Sequence, residues 1–188
     1  MRIIIGANGT QQPGWRSLEK NELDIRSGKQ WLDSFPVNSL DAILAEHVFE
    51  HLTALEAYAA LRNCYRHLKP GGYLRIAVPD GLHPDKVYLD WVAPNSPGEK
   101  FLSLFRGEGE PNHKVLWNYR SLIAVLSAIG FRVRLLEWID ERGLLHRNAW
   151  RASEGEIRRS YEHSYTRGFL NLIVGTEYTS LIVDGVKR

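Results

Sequence analysis

The sequence predicts an α/β fold built on an open, mostly parallel sheet, and three stretches predict it. Ile3-Ile4-Ile5 is a β-branched run ended by Gly6, Leu40 to Ala45 is a second short apolar run with Asp41 near its start, and Leu74, Ile76 and Val78 mark a third. Apolar runs without alternation imply strands buried on both faces. Between the second and third runs, Leu55, Ala59, Leu61 and Leu68 repeat at helical spacing, and Pro70-Gly71-Gly72 supplies a stop and a tight turn. Strand, helix and strand within about 40 residues make a βαβ unit, which is parallel and right-handed. The polar residues Glu46 to His51 then fall at the C-terminal end of the unit's first strand, the sheet edge that carries ligands in open α/β folds.

The remaining elements follow in chain order. Gly6-Ala7-Asn8-Gly9, after the first strand, permits close approach of backbone to a ligand, and Asn8 and Gly9 tolerate positive φ. The stretch has neither the full spacing of a dinucleotide fingerprint nor the Gly-Lys-Ser/Thr of a P-loop, and on local grounds it is equally a plain turn. Residues 10–14 leave no room for a long helix between first and second strands. Trp15 to Leu18 reads as a short second strand with Glu19 at its end, where an acid can accept from both hydroxyls of a ribose. Asp24, followed by Ile25, is placed to face an adenine amino group or a loop amide. Each acid alone is as readily a solvated surface group. Gly28 to Phe35 is a short amphipathic helix burying Trp31, Leu32 and Phe35. Thr53 and Glu56 have capping-box spacing at the start of the helix over residues 54–68.

After Asp80 the composition changes. Helical turns are expected at Val87 to Val92 and Glu99 to Phe105, with a charged, glycine-rich loop from Arg106 to His113. Residues 81–117 form a candidate lid or substrate-side insertion. Asn118 and Gly130 bracket a further helix, with Leu122, Ile123, Leu126 and Ile129 on its apolar positions. Phe131 to Ile139 is a strand with one wetter face, Leu144 to Trp150 a returning hairpin arm, and Glu154 to Tyr161 a helix. Thr179 to Asp184 is a final strand, placed beside residues 131–139 at the sheet edge.

The 188 residues suit one domain, 1–188, with a substantial core. A formal charge of +2 is too even to argue for nucleic acid as partner. Basic clusters at Arg132–Arg134, Arg142–Arg151 and Arg158–Arg167 read as solvated rims or as a patch that recruits an anionic substrate. Cys64 is the single cysteine, so no intrachain disulfide forms. No run approaches the roughly 20 apolar residues of a membrane span. The first residues read as a strand rather than a signal peptide, and a cytoplasmic location is the default expectation.

Two chemistries compete for the central cluster. His47-Val48-Phe49-Glu50-His51 matches the inverted zinc-protease pattern; on a helix His47 and His51 share a face, and Glu50 serves as general base. A third ligand is not singled out, with Glu46, His113 and His146 conceivable, so a zinc hydrolase is the minor alternative and no metal is the main expectation. The other reading places Glu46 to His51 in a strand-to-helix loop beside a cofactor. Asp41 to Leu52, Leu61 to Gly72 and Leu74 to Asp80, in that order, resemble the class I S-adenosylmethionine-dependent methyltransferases, most of all the small bacterial type 11-like branch. Asn112 to Tyr119, Gly130-Phe131 and Tyr178 to Asp184 also resemble it.

That resemblance implies a Rossmann-like sheet, mostly parallel with an antiparallel last strand and shortened near the N-terminus. It implies S-adenosylmethionine as cofactor. Gly6, Ala7, Asn8 and Gly9 match the cofactor loop, Glu19 the ribose acid, Asp24 and Ile25 the adenine side, and Glu46 with His47 the strand end between cofactor and acceptor. If the acceptor must lose a proton, His47 is the first candidate base because an imidazole can titrate near neutrality. Glu46, His51 and His113 follow. A small-molecule or saccharide acceptor is expected, and a homodimer or a partner protein is left open. Ala7 and Asn8 stand where the family has further glycine, and the helix after the first strand is missing, so a non-catalytic or partner-dependent binding protein is the alternative.

Overall fold

In a computed structural model, residues 1–105, 112–161 and 180–188 are described. Residues 106–111 of the expected charged loop, 162–167 of the third basic cluster, and Tyr178 and Thr179 lie outside them. The elements are β1 (Arg2–Ile5), β2 (Trp15–Leu18), α1 (Gly28–Ser34), β3 (Leu40–Glu46), α2 (Ala54–His67), β4 (Leu68–Pro79), α3 (Lys86–Val92), α4 (Pro97–Phe105), α5 (Tyr119–Ile129), β5 (Phe131–Ile139), β6 (Leu145–Arg147) and β7 (Ser180–Lys187).

The strands form one seven-stranded sheet in the order β2-β1-β3-β4-β7-β5-β6. Pairing is parallel from β2 through β4 and antiparallel on both sides of β7 and between β5 and β6. Strands β1 to β5 therefore share one direction, and β6 and β7 oppose it. The mostly parallel expectation holds for strand direction, whereas half of the pairings are antiparallel because β7 is inserted between β4 and β5. The last strand lies beside residues 131–139 as expected, but it is interior and not at an edge; the edges are β2 and β6. Its position follows from its sequence, since Ser180 to Asp184 are all buried and an edge strand would leave such a run uncovered.

β1 and β2 are parallel neighbours joined only by residues 6–14, which contain no helix. A parallel crossover ordinarily takes a dozen residues or more and a helix. This shortcut supplies no helix to cover the sheet between β1 and β2. The two faces are accordingly packed differently. Ile3, Ile5, Ile43, Leu74, Ile76 and Val183 meet Trp31 of α1, Ala57, Ala60, Leu61 and Cys64 of α2, and Leu122 and Leu126 of α5. On the other face Ile4, Leu44, Ala77, Leu136 and Ile182 meet Ile157 from an irregular segment, with Trp15 and Trp150 packed alongside.

Local expectations hold where capping chemistry is explicit. Thr53 and Glu56 form the reciprocal capping box of α2, and Asn118 and Gly130 (φ 117°) bracket α5. Four details differ. Leu55 is exposed and the buried stripe of α2 runs through Ala57, Ala60, Leu61 and Cys64, small residues that let the helix approach the sheet. Leu32 of α1 is likewise exposed. Pro70-Gly71-Gly72 is not a turn between elements but a bulge within β4, where residues 69–72 oppose Asp41 alone. Residues 154–161 are not helical; a single 3₁₀ turn spans Ala152–Glu154.

Candidate functional site

The chain leaves β1 for β2 on one side and later returns to β3 on the other, so β1 is where strand order reverses. Ligands of open α/β sheets bind in the crevice beyond the C-terminal end of such a strand. Two loops border that crevice: residues 6–14 after β1 and residues 47–52 after β3.

The first loop has a backbone that side chains resist. Gly6 (φ 59°), Asn8 (φ 44°) and Gly9 (φ 76°) are all left-handed. A Cβ on Gly6 would lie 2.8 Å from Val48 Cγ2, so glycine there lets the two loops meet, while the space in front of Gly9 is open. Ala7 is buried, and its N–H donates to the Leu18 carbonyl at 3.2 Å. Glu19, at the end of β2, accepts from the backbone N–H groups of Asn8 at 3.1 Å and Gly9 at 2.9 Å. Those N–H groups are thus turned to Glu19 and away from any ligand. Each carboxylate oxygen retains a second lone pair. Asp24 is held by Arg26 through paired contacts of 2.9 and 2.8 Å, which keep its carboxyl below the ordinary carboxylate range. The Ile25 carbonyl accepts from Trp31 Nε1 and Asn63 Nδ2, which fixes the chain between β2 and α1.

The second loop departs from a helix. His47 has φ 55°, and Phe49–His51 is one 3₁₀ turn. His47 and His51 consequently do not share the helical face expected of them. The His47 side chain is 7 % exposed, and its Nε2 shares a hydrogen bond with Ser180 Oγ at 3.0 Å. Burial pushes its pKa well below the usual imidazole value, with Arg159 adding to the effect. Glu46 accepts from the backbone N–H groups of Arg158 at 3.2 Å and Arg159 at 2.8 Å, anchoring the irregular segment over the strand ends.

Glu50 is 1 % exposed, and neither of its carboxylate oxygens has a hydrogen-bond partner among the described residues. His47 Nδ1 stands 2.9 Å from Oε1 but outside hydrogen-bond alignment, and His51 Nε2 stands 4.0 Å away. Burial raises the Glu50 pKa above the ordinary carboxylate value. Residues 112–117 run beside this turn. Lys114 and Val115 N–H groups donate to the Glu50 carbonyl, Trp117 Nε1 donates to the Phe49 carbonyl, and the His51 and His113 rings lie 5.0 Å apart. His113 is buried and donates from Nδ1 to the Val92 carbonyl at 2.8 Å. His146 is remote from this group in its contacts: it pairs with Asp140 at 2.8 Å.

A family model described as a methyltransferase domain matches residues 15–76. The match begins at β2 and leaves out Gly6 to Gly9. No curated protein matches the sequence. The structure is similar to a SAM-dependent methyltransferase from Thermotoga maritima, with TM-score 0.53, 12 % identity, and coverage of 100 % of this chain and 81 % of that one. It is equally similar to a chain in the complex between the Haloferax volcanii Trm112 methyltransferase activator and a methyltransferase, with TM-score 0.53, 14 % identity and coverage of 100 % and 81 %. A third likeness is to Haemonchus contortus phosphoethanolamine N-methyltransferase 2 in complex with S-adenosyl-L-methionine, with TM-score 0.51, 14 % identity and coverage of 100 % and 48 %.

The chain has the class I methyltransferase fold.

Within this methyltransferase fold, the structure brings Gly6 to Gly9 and Glu19 together on one side of the crevice. It brings Glu46, His47, His51 and His113 together on the other, and leaves Asp24 engaged with Arg26. Sequence reasoning passed over Val48, whose branched side chain fills the space left by Gly6, and Glu99. Glu99 Oε1 accepts from the N–H groups of Asn112 at 2.7 Å and His113 at 3.3 Å and so holds residues 112–113 in place. Locally the sequence offers Glu99 only Ser103, four residues on, whose hydroxyl donates to it at 3.1 Å; Asn112 and His113 lie beyond the end of its helix.

Proposed function

We propose that the protein transfers a methyl group from S-adenosylmethionine to a small-molecule or saccharide acceptor. The observation that carries this reading is the left-handed Gly6–Gly9 loop at the strand-order reversal, with Glu19 at the end of the neighbouring strand. The methyltransferase fold supports methyl transfer in general, and the residues present fit the cofactor. The open space at Gly9 admits a ligand against backbone, and the unused lone pairs of Glu19 suit two ribose hydroxyls. Gly6, Ala7, Asn8, Gly9 and Glu19 then border the cofactor, with Asp24 and Ile25 toward the adenine. Glu46, His47, His51 and His113 border the acceptor, with residues 81–105 and 112–117 belonging to a substrate-side insertion. When bound, the sulfonium supplies an already activated methyl group. The protein's part is to align the acceptor and exclude water. His47, whose Nε2 meets Ser180 Oγ, is the first candidate to orient the acceptor or to take its proton.

Calorimetric titration with S-adenosylmethionine and with its demethylated product tests the reading. Saturable binding of either at micromolar concentration is the expected result. Absence of binding at high micromolar concentration overturns it for the isolated chain. That outcome favours the second reading, a binding or partner-dependent protein, which two observations support: no helix follows β1, and the Asn8 and Gly9 N–H groups are already occupied by Glu19. The likeness to a chain from an activator complex supports the same alternative.

A further inference from the structure

We infer that Glu50, His51 and His113 form a binding site for a divalent transition-metal ion of the zinc type. Among the described residues, these three side chains each offer one ligand atom, and the three atoms lie within 4.8 Å of one another. The arrangement has three features of a metal site that a chance cluster lacks. The Glu50 carboxylate is almost completely buried and has no aligned hydrogen-bond partner among the described residues, although His47 Nδ1 stands 2.9 Å from Oε1; His51 Nε2 faces the same oxygen across a gap of 4.0 Å. That gap is too long for a hydrogen bond. It is close to the separation of about 3.4 Å that two ligands adopt on one tetrahedral ion with bonds near 2.1 Å.

The two imidazoles are already turned for ligation. His51 donates from Nδ1 to the Asn112 carbonyl at 3.2 Å, and His113 donates from Nδ1 to the Val92 carbonyl at 2.8 Å. Each ring therefore keeps its Nε2 lone pair available. A backbone carbonyl on the far nitrogen is the usual means of fixing the tautomer and orientation of a metal-bound histidine. The third feature is support from behind. Glu99 holds the backbone of Asn112 and His113, and the Glu50 carbonyl accepts from Lys114 and Val115, so the two segments that supply the donors are fastened to each other.

Two nitrogens and one carboxylate oxygen suit zinc, cobalt or ferrous iron better than calcium or magnesium, which prefer all-oxygen sites. Closing the site takes side-chain rotations of about an ångström, given bonds near 2.1 Å. His51 retains 31 % of its side-chain exposure, which leaves an entry path from solvent. Three protein donors leave a tetrahedral ion one position for water or an acceptor oxygen. The assignment differs from the inverted zinc-protease pattern: His113 replaces His47, and Glu50 is a ligand rather than a base. It does not depend on the cofactor reading.

The test is metal binding by the whole chain, measured without cofactor. The protein is treated with chelator, dialysed and titrated with Co²⁺ while visible absorption is followed; Zn²⁺ is then added in competition, and melting temperature is recorded with each ion. The expected result is one equivalent bound, the intense absorption of low-coordinate cobalt, its displacement by zinc, and a higher melting temperature. Glu50→Gln and His113→Gln should each weaken binding at least tenfold, while His146→Gln should leave it unchanged. Failure of the wild-type chain to bind one equivalent overturns the proposal whether or not the variants fold. Binding undiminished in folded Glu50→Gln and His113→Gln overturns it as well.

Discussion

Arg75 and Asp184 face each other across β4 and β7 as register partners and form a bidentate pair, with Nε–Oδ1 at 2.8 Å and Nη2–Oδ2 at 2.9 Å. Both are buried, on the sheet face against which Ile157 of the irregular segment packs. The remaining guanidinium nitrogen donates to the Gly155 carbonyl at 2.7 Å, and the Trp150 ring lies 4.9 Å from the charge. Arginine thereby ties the irregular segment to the sheet, doing by hydrogen bonds what a helix would do by apolar packing. Removing one member leaves the other charged and buried, which costs about 3–5 kcal/mol. Asp184→Ala and Arg75→Ala should each lower stability by that amount in urea unfolding. The double replacement Arg75→Met with Asp184→Leu should lose much less than the two single losses together. Equal and additive losses would contradict this account.

Gly6 is fixed by two independent constraints, its φ of 59° and the Val48 side chain 2.8 Å from the position a Cβ would take. A left-handed non-glycine residue costs about 1–3 kcal/mol, and overpacking adds about 1–3 kcal/mol. Gly6→Ala should therefore destabilise by both terms. In a Val48→Ala background the same substitution should cost only the first, because the steric neighbour is gone. A thermal-melt comparison of the four chains measures this; an equal cost in both backgrounds would mean that Val48 does not limit the site.

What the sequence disclosed follows from the range of the forces involved. Thr53 with Glu56, and Asn118 with Gly130, are readable because caps are set by neighbours three residues away. β1, β3 and β4 are readable because burial on both faces requires mostly apolar runs. The insertion of β7 between β4 and β5 is a long-range choice. Its one sequence trace is charge: Arg75 interrupts Leu74 and Ile76, and Asp184 follows Leu181 to Val183, each a cost in a buried strand unless the two pair. The site was half legible. Glu19 and Glu50 were singled out from their places at strand ends and in a histidine motif. That Glu19 spends two contacts on the glycine loop, and that His113 comes up beside Glu50 and His51, depends on loops whose meeting no local spacing records.

Glu19 links β2 to the Gly6–Gly9 loop through two charge-assisted hydrogen bonds. Glu19→Gln retains one carbonyl oxygen and turns an amide N–H₂ toward the second backbone donor. Loss of a hydrogen bond to a charged group costs about 1.5–3 kcal/mol when it stays unreplaced. If the loop borders the cofactor, affinity for S-adenosylmethionine should fall roughly 10- to 100-fold, the same energy expressed as a binding constant. The melting temperature should fall by only a few degrees, because Glu19 is at the sheet edge and partly exposed. Calorimetry beside thermal melts separates the effects; unchanged affinity with a lowered melting temperature would assign Glu19 to the fold alone.

Asp80 closes β4 with a fully buried carboxylate that accepts from the Leu82 N–H at 3.0 Å and the Ile139 N–H at 2.8 Å. Burial pushes its pKa up from 3.8 to about 6, against the opposing pull of those two backbone donors. The folded state thus holds the Asp80 proton more tightly than the unfolded chain. Its contribution to stability is complete below the unfolded value and is lost as pH rises through about 6. A shift of about two units corresponds to roughly 3 kcal/mol. Asp80→Asn cannot titrate and has one carbonyl oxygen for two N–H groups, so it should be less stable than wild type at pH 4. The gap between the two proteins should shrink by about 2–3 kcal/mol as pH is raised from 4 to 7. Other carboxylates, Glu50 among them, titrate equally in both proteins and cancel in the difference. Urea unfolding of the pair across that range measures it, and a gap that widens with pH would show that the backbone donors outweigh burial at this carboxylate.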